Sequence, residues 1–267
     1  MSKIALVQFK ASTDKKKNLP KIIDYIKQAA KNNADMCTFP EYMMFYTPKA
    51  QTARQVAQEA ETINGEFVSA ICDSARKNSI AVVGTMYEKS RKKDRVYDTS
   101  FIVNKSGKVT GKYRKIHLFD ITTLNGNTYN ESDTVIAGNE IVTYDAENFS
   151  IGCSICYDLR FAELYLRLAK QNVDIIMVPA SFTLQTGKDH WSTLLRARAI
   201  ETQSYVIAPG QCGEFTDGAN GIRQTWGHSM IIDPWGHIVA QVSDGTGWAT
   251  CRPLGSCAAC DPAGISP

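Results

Sequence analysis

A chain of 267 residues, 43% apolar and 21% charged, is long enough to bury a sizeable core as one or two domains. Its 30 basic and 27 acidic residues leave a formal charge of +3, which carries no nucleic-acid or membrane footprint, and the basic clusters Lys15-Lys16-Lys17 and Arg91-Lys92-Lys93 read as solvated turns or helix starts. No segment approaches the roughly 18 apolar residues of a membrane span, and the opening Met1-Ser2-Lys3-Ile4-Ala5-Leu6-Val7 lacks a signal peptide's long apolar region, so a cytoplasmic protein without nucleic-acid or membrane partners is expected.

In chain order, residues 3–9 open as a strand and 18–32 carry Leu19, Ile22, Ile23, Ile26 and Ala30 at helical spacing. A short apolar strand over 35–39 is stopped by Pro40, and Glu41 stands immediately after the stop. A helix over 65–78 leads to a strand over 80–87. Strands over 97–104 and 108–113 pair across Lys105-Ser106-Gly107, with Gly107 to supply a positive φ. A polar loop over 120–140 and a strand over 141–144 close the first half.

The second half opens on the stretch that organises the chemistry, Phe149-Ser150-Ile151-Gly152-Cys153-Ser154-Ile155-Cys156. Phe149, Ile151, Cys153 and Ile155 share one face by period-2 alternation, and Cys156 ends the run on the other. Asp158 reads as the N-cap of a helix over 159–171, with Leu164, Leu168 and Ala169 at helical spacing. A strand over 174–179, a helix over 189–203 and strands over 205–211, 228–233 and 236–242 follow, the last two joined by Asp233-Pro234-Trp235-Gly236. A final strand covers 247–251.

The element order of the first half nearly recurs in the second, and each half mixes parallel crossover strands with an antiparallel hairpin. Two sheets, each with helices on one face, would bury their bare faces together. The expected fold is a four-layer α-β-β-α sandwich of two stacked mixed sheets, one domain over residues 1–251. Residues 252–267 carry no helix or strand pattern and read as an irregular, disordered tail.

In open α/β sheets, functional groups gather beyond the carboxyl ends of the strands. Glu41, Lys115 and Cys156 all meet that description, and they supply a base, a cation and a nucleophile for attack on a carbonyl or nitrile carbon. A thiol at such an elbow would lie near the positive end of the following helix, which favours its thiolate. Taken singly, each residue also fits a duller role: a solvated loop end, a surface lysine, a core cysteine. Cys153-x-x-Cys156 could be a redox pair, but side chains on opposite faces of a strand about 10 Å apart exceed disulfide reach. Cys153, Cys156, Cys257 and Cys260 could form a zinc set, at a separation far longer than a zinc ribbon uses. A scaffold that keeps the fold without catalysis is a further reading.

Phe39-Pro40-Glu41-Tyr42, Tyr113-Arg114-Lys115-Ile116-His117-Leu118-Phe119 and Cys156-Tyr157-Asp158-Leu159-Arg160-Phe161-Ala162-Glu163 resemble the Glu, Lys and Cys boxes of the nitrilase superfamily of carbon–nitrogen hydrolases. The resemblance extends over about residues 3–250 and includes the segments from His190 to Glu201 and from Trp226 to Gly236. It implies that Cys156 attacks an amide or nitrile carbon, Glu41 moves protons, Lys115 with the Tyr157 backbone N–H holds the oxyanion, and water releases an acyl-enzyme. It further implies that Glu131 orients Lys115 and the substrate. The motifs resemble the Nit-type branch, with its omega-amidases and deaminated-glutathione amidases, and Gln211-Cys212-Gly213 leans toward the second. A small carboxylate-bearing amide is the expected substrate, with nitrile or N-carbamoyl amide hydrolysis as alternatives. Phe182 and Thr183 are expected in its pocket or packed at the strand end. Arg160 is expected to pair with Asp158 or Glu163, or else with a substrate carboxylate. No cofactor or metal is implied, and a homodimer or higher homo-oligomer is.

Overall fold

The computed structural model describes residues 3–47, 51–122, 126, 128–146, 149–216 and 221–252. Apart from Arg252, the tail expected over 252–267, with Cys257 and Cys260, lies outside the described residues.

The first half runs β1 (Ile4–Gln8), α1 (Lys15–Lys31), β2 (Met36–Thr38), α2 (Ala53–Glu59), α3 (Glu66–Asn78), β3 (Ala81–Lys89), β4 (Val96–Val103) and β5 (Val109–Arg114). A ribbon of β6 (Asp120–Thr122) and β7 (Thr128–Asn130) leads to β8 (Thr143–Ala146) and β9 (Phe149–Cys153). Next come α4 (Ala162–Ala169), β10 (Ile175–Met177), α5 (Leu184–Thr186), a π-wound turn (Gly187–Trp191), α6 (Ser192–Thr202) and β11 (Tyr205–Ala208). The last described elements are β12 (Cys212–Thr216), β13 (Ile222–Trp226), β14 (Met230–Ile232), β15 (Ile238–Gln241) and β16 (Gly247–Cys251).

Two six-stranded sheets result, ordered β16-β1-β2-β3-β4-β5 and β15-β14-β11-β10-β9-β8. Each has a parallel trio at its centre, β1-β2-β3 or β9-β10-β11, and antiparallel strands at its margins. The strand alternation decides the layers. Ile4 and Leu6 point into the core shared with Ile151, Cys153 and Ile175 of the other sheet. Ala5 and Val7 point the other way, onto Ile22 and Ile26 of α1 and Phe67 and Ile71 of α3. Both faces of β1 are therefore dry, and each such aliphatic side chain contributes about 1.5–3 kcal/mol. α4 and α6 cover the second sheet, through Leu164, Leu168, Leu195 and Ala199. This is the expected sandwich.

Differences from expectation are local. The 120–140 loop contains the β6–β7 ribbon, and the second half carries a β12–β13 hairpin, neither of which has the apolar alternation of a core strand. α2 is a short helix with a capping box between Thr52 and Gln55. The helix expected over 159–171 begins only at Ala162, after a 3₁₀ turn over Cys156–Arg160.

Candidate active site

Glu41 and Cys156 stand beyond the carboxyl ends of the parallel strands β2 and β9, one from each sheet. In both loops the backbone enters the left-handed region at a non-glycine residue: Tyr42 has φ 60° and Cys156 has φ 47°. Such conformations cost about 1–3 kcal/mol and persist only where the surroundings hold them. Around Glu41, Thr85 Oγ1 donates to the Pro40 carbonyl at 2.9 Å and Gln211 Nε2 donates to the Glu41 carbonyl at 2.9 Å. Gln211 is thus a brace for the Glu41 loop, its Oε1 accepting from Ala11 N at 3.0 Å.

The Cys156 elbow is pinned by Cys156 N donating to the Pro179 carbonyl at 2.9 Å and, more unusually, by Asp158. This side chain does not cap α4, which starts after Phe161 and has no side-chain cap, but closes back on the start of the 3₁₀ turn that carries it. It is fully buried and receives four donors: Ile155 N at 2.9 Å and Tyr113 Oη at 2.7 Å on Oδ2, His117 N at 2.9 Å and His117 Nδ1 at 2.7 Å on Oδ1. Asp158 thereby ties the segment carrying Lys115 to the segment carrying Cys156. The fully buried carboxylate is used for convergence of two chain segments because four donors satisfy it.

Lys115 follows β5 directly. Thr99 pairs with Arg114 across β4 and β5, and Lys115 N donates to the Asp98 carbonyl at 2.9 Å, so the Asp98 and Lys115 side chains share a face. Lys115 Nζ lies 2.8 Å from Glu41 Oε1, 2.9 Å from Glu131 Oε1 and 3.7 Å from Asp98 Oδ2. Glu131, in a 3₁₀ turn after β7, is fixed by Phe119 N donating to its Oε2 at 2.6 Å and by Tyr42 Oη at 3.3 Å. The four residues expected to act together, Glu41, Lys115, Glu131 and Cys156, do converge.

Burial alone would lower the Lys115 pKa, but Glu131 and Glu41 outweigh it and hold the value well above that of an ordinary lysine. Lys115 is therefore an ammonium. Cys156 goes the other way from the expected thiolate: burial, then the charge of Glu41, outweighs Lys115 and the Ser181 N–H, and the thiol pKa lies well above its usual value. The short 3₁₀ turn after Cys156 supplies too little dipole to reverse this. The Cys156 thiol is thus held toward its neutral form.

The cleft over Cys156 encloses about 330 Å³ including its open mouth and is lined by Glu41, Tyr42, Lys115, Phe119, Tyr157, Arg160, Ser181, Phe182, Thr183, Thr186 and Arg223. Tyr42, Phe119 and Arg223 also line a wider outer chamber, about 1150 Å³ including its open mouth, between α2 and the β6–β7 ribbon. Tyr157, Arg160, Phe182 and Thr183 thus all reach the wall. Arg160 has no ion pair among the described residues, with Asp158 or with Glu163. Its guanidinium lies 5.8 Å from the Tyr157 ring and 5.5 Å from the Phe182 ring, and it donates to His190 Nδ1 at 3.3 Å. Asp158 is already saturated by its four donors.

Asp98, Ser181 and Arg223 escaped the sequence reading. An acid beside Thr99 and Ser100 in an otherwise apolar strand is a signal for Asp98. Arg223 reaches the pocket only because Gly187 lets β13 approach: a Cβ at Gly187 would lie 2.2 Å from Trp226 Cβ. That contact leaves no trace in local pattern.

Glu41, Asp98 and Glu131 bring one carboxyl oxygen each within 4.8 Å of one another, the one candidate cation cluster among the described residues. Lys115 Nζ stands among these groups and fills the role of the cation. Cys153 and Cys156 are both free, Cys153 in the inter-sheet core and Cys156 on the cavity wall. No helix among the described residues is long and apolar enough to cross a membrane.

The carbon-nitrogen hydrolase family model matches residues 3–263. The chain is 37% identical over 250 residues to a deaminated glutathione amidase of Synechocystis sp., covering 92% of this chain and 89% of that one. It is 34% identical over 240 residues to omega-amidase NIT2 of Mus musculus, covering 90% and 83%. The crystal structure of the C. elegans NitFhit protein superposes with a TM-score of 0.83 at 33% identity, over 94% of this chain and 60% of that longer one. With this extent of match, this chain belongs to the carbon–nitrogen hydrolase family, the nitrilase superfamily, and is an enzyme of that family.

Proposed function

We propose that this enzyme hydrolyses the amide of a small carboxylate-bearing substrate through a thioester on Cys156. The observation that carries this reading is the convergence of a neutral buried thiol, a buried carboxylate and a buried ammonium on one cavity wall. Glu41 takes the thiol proton as sulfur bonds to the amide carbon. The carbonyl oxygen gains the negative charge and is held by Lys115 Nζ and the Tyr157 N–H, which sits in the first turn of a 3₁₀ helix and has no carbonyl one turn earlier to bond. Collapse breaks the carbon–nitrogen bond, and Glu41 returns the proton to the departing nitrogen, releasing ammonia. Water then attacks the thioester, Glu41 takes its proton, and the carbon–sulfur bond breaks to give a carboxylic acid and the thiol. Glu131 also holds Lys115, its Oε1 lying 2.9 Å from Nζ.

Arg160 supports a carboxylate on the substrate. It is a pocket cation without an acidic partner among the described residues, and a guanidinium accepts a carboxylate in a two-pronged bond. The outer chamber leaves room for a substrate longer than the reacting amide. The relatives named as deaminated glutathione amidase and omega-amidase both fit such an amide. The exposed Trp235, Ile200 and Ile238 near the β14–β15 turn support a homodimer, which light scattering tests.

The test is ammonia release from alpha-ketoglutaramate, deaminated glutathione, a carbamoyl amino acid and an aliphatic nitrile. Turnover is expected on one of the two carboxylate-bearing amides and absent in Cys156→Ala. Activity on the nitrile alone, or an active Cys156→Ala protein, would overturn the reading.

A further inference from the structure

Three carboxyl groups and one ammonium meet in this cluster, and the mechanism uses only two of the three. Asp98 is the third. It is 1% exposed, the third residue of β4, directly opposite Tyr87 on β3 and beside Lys115 on the other flank. Asp98 Oδ2 and Glu41 Oε2 are both sealed from solvent and accept no well-formed hydrogen bond among the described residues, the Cys156 thiol being the other donor beside the Glu41 carboxyl. Lys115 Nζ, at 3.7 Å, is too far for a hydrogen bond to Asp98 and is already engaged with Glu41 and Glu131 at 2.8 and 2.9 Å. Two buried acceptors with nothing to accept are costly, whereas one proton shared between them satisfies both.

We infer that Asp98 is a positioning residue held as a neutral carboxylic acid, whose O–H donates to Glu41 and holds that carboxylate against Lys115 and Cys156. The groups that face Asp98 agree with this. Glu41 and Glu131 repel a second or third negative charge, Tyr87 and Tyr42 offer no cation, and Lys115 is the only positive charge nearby among the described residues. Burial first, and Glu41 second, raise the Asp98 pKa well above the usual carboxylate value, with Lys115 opposing. In this form the cluster holds two carboxylates and one ammonium, and an amide oxyanion forms without a third negative charge at its side. The inference rests on the reading of Glu41 as the proton acceptor for its meaning in catalysis, but the protonation of Asp98 can be measured without any turnover.

The sign of the pH effect follows from the raised pKa. An acid whose pKa is higher in the folded than in the unfolded chain favours folding fully only below its unfolded value, about 3.9, and that advantage is lost as pH rises through the folded value. Asp98→Asn keeps a donor toward Glu41 and removes the titration. Its melting temperature should exceed that of the wild type by a margin that widens as pH rises above the usual carboxylate range.

The deciding measurement is carbon-13 NMR of the wild-type enzyme labelled at the aspartate side-chain carboxyl. One resonance is expected to stay at the protonated position at pH values where the other aspartates are ionised, and to be missing in Asp98→Asn. Asp98→Asn should keep kcat/KM within about threefold at neutral pH, while Asp98→Ala, which leaves Glu41 Oε2 without a donor, should lose about tenfold or more in kcat with KM little changed. A wild-type spectrum with every aspartate ionised at neutral pH overturns the inference whether or not the variants fold. So does an Asp98→Asn enzyme as slow as Asp98→Ala. If no amide is turned over at all, the function fails while the NMR result still decides Asp98.

Discussion

Lys115 Nζ and Glu41 Oε1 are 2.8 Å apart, and both side chains are at most 1% exposed. A buried ion pair of this kind adds little net stability over an apolar pair, but removing one partner strands the other's charge. Its value lies in placing a cation and a proton acceptor side by side in a dry cavity. Lys115→Met should therefore lower kcat by about 10²–10³-fold, the usual cost of losing one oxyanion donor. It should also lower unfolding stability by about 3–5 kcal/mol, read from the denaturant midpoint. Turnover near the wild-type rate would remove Lys115 from the oxyanion.

The neutral Cys156 thiol has a direct chemical signature. Conversion of Cys156 to its methyl disulfide by methyl methanethiosulfonate, which loses methanesulfinate as the thiolate attacks, should, followed peptide by peptide, keep accelerating as pH rises past about 9, because burial and Glu41 hold the thiol above its usual value. A rate that levels off below neutrality would mean a resting thiolate.

Arg160 is expected to act on binding, not on chemistry. Arg160→Gln should raise KM for a carboxylate-bearing amide by about 10- to 100-fold, the worth of a charge-assisted hydrogen bond, and change kcat much less. The same variant should treat an uncharged amide of similar length as the wild type does. Equal losses on both substrates would show that Arg160 shapes the pocket and does not read charge.

Asp158→Asn tests the tie between the Lys115 and Cys156 segments. Each carboxyl oxygen now accepts two donors, so either orientation of an amide turns its NH₂ toward two donors. A loss of about 2–5 kcal/mol is expected, together with slower Cys156 chemistry. Thermal melting and single-turnover kinetics read the two effects separately. An Asp158→Asn protein as stable as the wild type would show that the elbow is held by its backbone bonds alone.

Local pattern was sufficient for the frame of this molecule. The apolar runs over 35–39 and 149–155 report buried strands, and Pro40 and Cys156 mark where these two strands end, so Glu41 and Cys156 could be assigned to the carboxyl ends of their sheets before any contact was known. That reasoning works because burial on both faces of a strand is written residue by residue. Asp158 shows its limit. Beside a helical pattern it reads as an N-cap, and only the fold reveals Tyr113 and His117 arriving from 45 and 41 residues away. The charge state of Cys156 likewise depends on Glu41 and on burial, not on the helix that follows it.

The sequence by itself therefore determined the sandwich, the strand ends and the residue types offered there. Only the tertiary structure decided that Glu41 meets Lys115 across 74 residues, that Arg160 has no acidic partner among the described residues, and that Asp98 crowds the same ammonium. Distances between chain segments, and the low dielectric that shifts a proton from one group to another, are properties of the packed molecule and have no local code.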